Sequence, residues 1–164
     1  MNETNIQLAM VLNFSIIFYL FQEEINLMGQ VQIPVKITNA IDEGMVRRGQ
    51  LDQDKVRHCE VQALVDTGAI GCVLPQSLVE SLGLARAFDY DVQYANGHQE
   101  TVDVTEPVLI EILGRKVYEE CLVLGNTVLI GQTALEMTDL LVDCRRGQVV
   151  PNPEHPNQPV IMIR

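Results

Sequence analysis

The sequence predicts an all-β domain with one or two short helices, on three observations. Val, Ile and Leu dominate the apolar 47% of its 164 residues and tryptophan is absent; branched side chains suit a pleated, half-buried surface. Apolar residues alternate strictly at Val31, Ile33, Val35 and Ile37, the period of a strand buried on one face. Asn96-Gly97 stands between strand-like stretches, a strong hairpin signal because both turn positions need positive φ.

The first strand covers Val31 to Ile37. Pro34 within it removes a ladder donor, so this strand is expected at an edge or at an irregularity. Residues 38–57 are polar and charged and read as a long loop. A second strand, roughly Cys59 to Val65, leads into Asp66-Thr67-Gly68-Ala69. Cys72-Val73-Leu74 is a further short strand, and Pro75 opens a helix through Leu78, Val79 and Leu82 with Gly83 as its cap. A hairpin over Asp91 to Val104 turns at Tyr94-Ala95-Asn96-Gly97-His98. Val108, Ile110 and Ile112 run into a turn at Gly114-Arg115-Lys116, and Val117 to Leu124 returns. Leu129-Ile130-Gly131 precedes a helix near residues 133–138, and Leu140 to Val150 forms a last hairpin turning at Arg145-Arg146-Gly147. The proline-rich tail, residues 151–164, is expected to be extended. Residues 73–80 weakly echo residues 128–136, which suits two similar strand-plus-helix halves.

Residues 1–27 differ in character from the rest of the chain. Leu8 to Phe21 is apolar but short for a membrane span, which needs roughly 17–25 residues. It lacks the basic leader and small-residue cleavage site of a signal peptide. A membrane tether, an extra packed helix and translated upstream sequence with Met28 as the start are the three readings, the last preferred. Residues 28–150 are then the domain proper, and a cytoplasmic location is expected unless residues 8–21 act as a tether. The formal charge of −11 would repel a phosphate backbone, so nucleic acid is not an expected partner. Cys59, Cys72, Cys121 and Cys144 lie far apart, and His58, His98 and His155 are isolated. No metal-ligand spacing or disulfide framework is apparent, and the cysteines read as free thiols.

The sharpest local signal is Ala63-Leu64-Val65-Asp66-Thr67-Gly68-Ala69-Ile70. It delivers a carboxylate from the end of an apolar strand, where an unpaired charge is costly. Thr67 offers a hydroxyl, and Gly68 permits close backbone approach. Asp and Gly are also ordinary turn residues, so the tetrapeptide alone leaves a plain turn open. An Asp-x-Gly phosphate loop of the actin and sugar-kinase kind would want Thr or Ser where Ile70 stands.

In its wider setting, this region resembles the retroviral-type (retropepsin-like) aspartic peptidases, including their single-domain prokaryotic members. The resemblance rests on Leu64 to Ala69, on the hairpin of Tyr94 to His98, and on Leu129-Ile130-Gly131, in that order, and covers roughly Met28 to Val150. It implies a closed antiparallel β barrel and an endopeptidase with Asp66 as the catalytic carboxylate. Thr67, Gly68 and Ala69 would support that carboxylate. Tyr94, Ala95, Asn96, Gly97, Ile130 and Gly131 would form the flap and the substrate-binding wall. No second Asp-Thr/Ser-Gly occurs in the chain, so a carboxylate pair requires a homodimer acting on an extended peptide, with no cofactor or metal. A peptide-binding dimerisation module of the same fold that cleaves nothing is the alternative.

Overall fold

The computed structural model describes residues 30–93 and 97–161. Residues 1–29 and the residues expected at the flap, Tyr94, Ala95 and Asn96, therefore lie outside the described residues. From Val31 onward the fold is mostly β. β1 (Val31–Asn39) buries the alternating face that its sequence announces, with Val31, Ile33, Val35 and Ile37 all inside. It pairs antiparallel with β2 (His58–Val65) along its whole length, from Val31 opposite Val65 to Thr38 opposite His58. On its other side β6 (Val108–Ile112) reaches only from Lys36 to Asn39. Pro34 is thus accommodated in an interior strand, at a stretch that has a partner on one side only.

The remaining strands are β3 (Val73–Leu74), β4 (Arg86–Gln93), β5 (Gln99–Thr105), β7 (Arg115–Glu119), β8 (Leu122–Val123) and β9 (Leu129–Ile130). Among the described residues, one sheet contains nine strands in the order β4-β5-β8-β3-β9-β2-β1-β6-β7, and β10 (Leu140–Asp143) with β11 (Gln148–Pro151) makes a separate hairpin. The expected closed barrel is corrected to an open, curled half-barrel. Its end strands β4 and β7 pair only with their inner neighbours, and three of its strands are only two residues long, too short to carry a ladder around to closure.

The long loop expected at residues 38–57 is also corrected. Helix α1 (Ala40–Arg47) and a 3-10 turn at Gln53–Lys55 occupy it. Buried Asn39 starts the helix, its Oδ1 accepting from Ile41 N at 2.9 Å and Asp42 N at 3.1 Å. Asp42 and Glu43 in the first turn and Arg47 in the last agree with the helix dipole. The Asn39 Nδ2 donates to Leu82 O, tying this segment to the end of α2 (Gln76–Ser81). Gly83 follows α2 at φ +58, the left-handed position expected of the residue after a helix cap.

The turn expected at Gly114-Arg115-Lys116 sits one residue earlier. Leu113 (φ 50) and Gly114 (φ 78) make it, which puts Arg115 inside β7 and leaves it only 7% exposed. Its guanidinium donates to the carbonyls of Thr138, Asp139 and His155 at 2.9, 2.6 and 2.6 Å. The Asp139 carboxylate in turn accepts from Asn152 Nδ2, His155 Nδ1 and Val160 N at 2.8, 2.8 and 3.1 Å. The tail therefore turns and bends around Asp139 at residues 153–158, and His155, isolated in the sequence, is one of its anchors. No helix among the described residues is long and apolar enough to cross a membrane.

Asp42 gives the fold a pH signature. Its buried carboxylate accepts from Arg57 N, Nε and Nη2 at 3.0, 2.7 and 2.7 Å, and the Arg57 guanidinium holds it below the ordinary carboxylate range. A depressed folded pKa stabilises the native state above the unfolded value of about 4, and this is lost as pH falls through the folded value. Asp42→Asn should lower stability at pH 7 by about 1–3 kcal/mol. In urea melts at pH 7 and pH 3, the gap from wild type should narrow at the acidic pH.

Candidate active site

β2 delivers Asp66 because its register is fixed on both sides. β1 pairs along one edge, and β9 pairs in parallel along the other, with Leu64 opposite Leu129 and Val65 opposite Ile130. Leu64 N donates to Val128 O at 2.9 Å and Asp66 N to Ile130 O at 3.0 Å. The backbone of Asp66 is thus the last rung of the short parallel ladder, while its side chain emerges half-buried at the strand end.

Beyond Asp66 the chain turns. Ala69 N donates to Asp66 O at 3.2 Å, and Gly68 N donates to Asp66 Oδ1 at 2.9 Å. One carboxylate oxygen is thereby aimed by its own loop, as Asp side chains commonly are two residues before a turn amide. A Cβ on Gly68 would lie 3.2 Å from that oxygen, crowding the bond that does the aiming. Thr67 and Gly68 are exposed and Ala69 is half-buried.

The loop is held from behind by α3 (Gln132–Met137). The first amides of a helix lack internal partners, and this helix has no side-chain cap. The loop carbonyls supply the acceptors instead: Gln132 N donates to Ala69 O at 2.8 Å, and Thr133 N and Oγ1 both donate to Ile70 O, at 3.0 and 2.9 Å. This close packing needs a glycine at the helix cap. A Cβ on Gly131 would lie 2.4 Å from Gly71 O and 2.8 Å from Ile70 O, both rigid backbone atoms.

The structure therefore brings together Asp66, Thr67, Gly68, Ala69, Ile130 and Gly131, six of the ten residues singled out in sequence. Gly97 lies elsewhere, exposed at φ +84 at the described end of the β4–β5 hairpin, where a positive φ is what the Asn-Gly turn predicts. Sequence reasoning missed two contributors. Thr133 clamps Ile70, and the Cys72 Sγ accepts from Gly131 N at 3.4 Å. Thr133 lies in the first turn of the helix expected there, while nothing in sequence marks Cys72 as touching Gly131.

A family model described as "gag-polyprotein putative aspartyl protease" matches residues 55–137, which include Asp66 and the whole of β9 and α3. The chain belongs to this family. Its members are aspartic proteases of the retroviral, retropepsin-like type. No curated protein matches the sequence. Among solved structures, a foamy viral protease-reverse transcriptase in complex with an RNA/DNA hybrid is similar over 65% of this chain and 12% of that one, at 17% identity and a TM-score of 0.43. The simian foamy virus (mac) protease is similar over 63% of this chain and 90% of its own, at 17% identity and a TM-score of 0.41. The EIAV protease complexed with the inhibitor HBY-793 is similar over 47% and 75%, at 26% identity and a TM-score of 0.38. The chain thus spans only a small part of the first of these proteins and most of the other two.

The packing at Gly131 makes a direct prediction. Gly131→Ala should destabilise the family's protease domain here by about 3 kcal/mol, because backbone rather than a flexible side chain must move. In a urea melt, a loss below about 0.5 kcal/mol would show that the loop and α3 can separate freely.

Proposed function

We propose that this chain is an aspartic endopeptidase acting as a homodimer, with one Asp66 from each subunit forming the catalytic pair. The observation that carries this reading is the placement of Asp66. Its backbone is fixed by Ile130, one oxygen is fixed by the Gly68 amide, and its side chain is presented at a strand end in a member of an aspartic protease family. One such carboxylate occurs per chain, so a pair is made by two chains.

Two carboxylates about 3 Å apart cannot both ionise readily, so they share a proton and titrate as a unit. The ionised member draws a proton from a water, and the protonated member donates to the peptide carbonyl as the water adds to its carbon. Proton return to the amine then releases the two peptide halves. Water attacks directly, so no acyl-enzyme intermediate is formed. In this reading, Thr67 bonds across the subunit interface and Gly68 and Ala69 leave room for the partner strand and the substrate backbone. The hairpin of β4 and β5, with Tyr94, Ala95, Asn96 and Gly97 at its tip, acts as the flap, closing on an extended peptide that adds main-chain hydrogen bonds. Ile130 and Gly131 line the wall behind Asp66. The proposal extends to a cytoplasmic, single-domain prokaryotic peptidase, with residues 1–27 outside the catalytic unit.

Asp66→Asn tests this reading, because it keeps the side-chain volume and removes the ionisable form. Cleavage of an unfolded protein substrate should fall by at least about a hundredfold, with dimer stability unchanged or slightly raised. When mutant and wild-type subunits are mixed equally and allowed to exchange, random pairing leaves about a quarter of dimers fully wild type. Activity per wild-type subunit should then fall to about half. Full activity in mixed dimers would mean that each chain carries a complete site. A wild-type protein that dimerises and binds extended peptides without cleaving them would be the silent module instead.

The pH dependence is a second check. A pair active only in its singly protonated state gives a bell-shaped rate profile with an acidic or near-neutral optimum. A rate still rising well above pH 8 would require a different base.

A further inference from the structure

Behind the Asp66 loop lies a pair of buried cysteines that peptide hydrolysis does not use. β3 and β8 run parallel with Val73 opposite Leu122 and Leu74 opposite Val123. The residues just before them, Cys72 and Cys121, are therefore neighbours across the same ladder, and Leu122 N donates to Cys72 O at 3.0 Å. Both cysteines are free and both are completely buried. The neighbouring Cys121 thiol and burial push the Cys72 thiol above the ordinary range. The Cys72 Sγ also meets Glu119 Oε2 at 3.0 Å. Burial raises the Glu119 carboxyl as well, so the group favours neutral, protonated partners around the sulfur pair.

Neighbouring residues on adjacent parallel strands sit at a spacing close to that which a disulfide spans, with Cα atoms about 4.4–6.8 Å apart. We propose that Cys72 and Cys121 are a disulfide-forming pair, oxidised by a small-molecule disulfide to a cross-link that staples β3 to β8. The reaction is two successive thiol–disulfide exchanges. The thiolate of one cysteine attacks the small disulfide, forming a mixed disulfide and releasing one thiolate. The second cysteine then displaces the other half. Two protein thiols lose two protons and two electrons, and the reagent is reduced to two thiols that take up those protons.

The placement gives the cross-link a structural consequence. β8 carries the root of the β4–β5 hairpin through its pairing of Leu122 with Val104. Cys72 touches Gly131, whose carbonyl neighbours on the Asp66 loop leave it no free space. The staple would join the base of the hairpin to the floor of the loop, across two strands of only two residues each. Because both thiols are buried, exchange proceeds through local opening of these short strands, and is slow beside reaction of the exposed Cys144.

The test is independent of peptidase activity. Reduced full-length protein is incubated with oxidised glutathione under native conditions, remaining thiols are blocked with N-ethylmaleimide, and the digest is mapped by mass spectrometry. The expected product is an intramolecular Cys72–Cys121 link, two hydrogens lighter than the reduced pair and reversed by dithiothreitol. The melting temperature should rise by about 5–10 °C, and Cys121→Ala should lose both the link and the rise. Glutathione adducts on Cys59 or Cys144 without the link, a link formed only in urea, or a linked protein that melts no higher than the reduced one would each overturn the proposal.

Discussion

The structure turns on one arrangement: a parallel pairing two residues long between β2 and β9, followed at once by the Asp66 loop on one chain segment and α3 on the other. A turn leaving a strand exposes carbonyls, and a helix entering after a strand exposes amides. Here each group of orphans satisfies the other. Ala69 and Ile70 supply the acceptors, and Gln132 and Thr133 supply the donors. Each segment thereby supplies main-chain partners that the other lacks within itself. The loop that carries the carboxylate is therefore tied to the first turn of the helix by three hydrogen bonds.

Gly131 is what lets the two approach. The absence of a Cβ brings the carbonyls of Ile70 and Gly71 into a space that any other side chain would fill. The core supports this from below, with Leu74, Ile130, Ile37, Ile110 and Ile112 fully buried across neighbouring strands. A strand-plus-helix unit occurs twice. β3 leads to α2 and β9 leads to α3, and the two strands pair antiparallel where Val73 meets Leu129. The weak echo between the two stretches of sequence thus corresponds to a real structural repeat.

Two polar clusters brace the half-barrel from its ends. Asn39, Asp42 and Arg57 join the segment after β1 to the end of α2. Arg115 and Asp139 gather the end of α3 and the tail. In both, an arginine donates to several acceptors at once, which its planar fork suits. The second cluster links the tail to the far end of the helix whose beginning holds the Asp66 loop, so the site is supported over the full length of α3.

Much of this was legible in the sequence because it is local or periodic. The alternation of Val31 to Ile37 fixed the buried face of β1, Asn96-Gly97 marked the hairpin that β4 and β5 form, and Asp66-Thr67-Gly68 with Leu129-Ile130-Gly131 marked the two segments that meet. Helix α1 was also within reach, since an Asn cap, acids in the first turn and a base in the last are sequence features, but a charged composition hid them. Only the tertiary structure decided the rest. Barrel closure depends on which strand edges find partners, and no local pattern encodes that. Arg115 looked like a turn residue until the turn closed one position earlier and packed it against carbonyls 23 to 40 residues away. The contact of Cys72 with Gly131, 59 residues on, likewise arises only when β3 and β9 are laid side by side. Residue type sets what a side chain can do; chain topology sets which partner it meets, because that partner comes from a distant part of the chain.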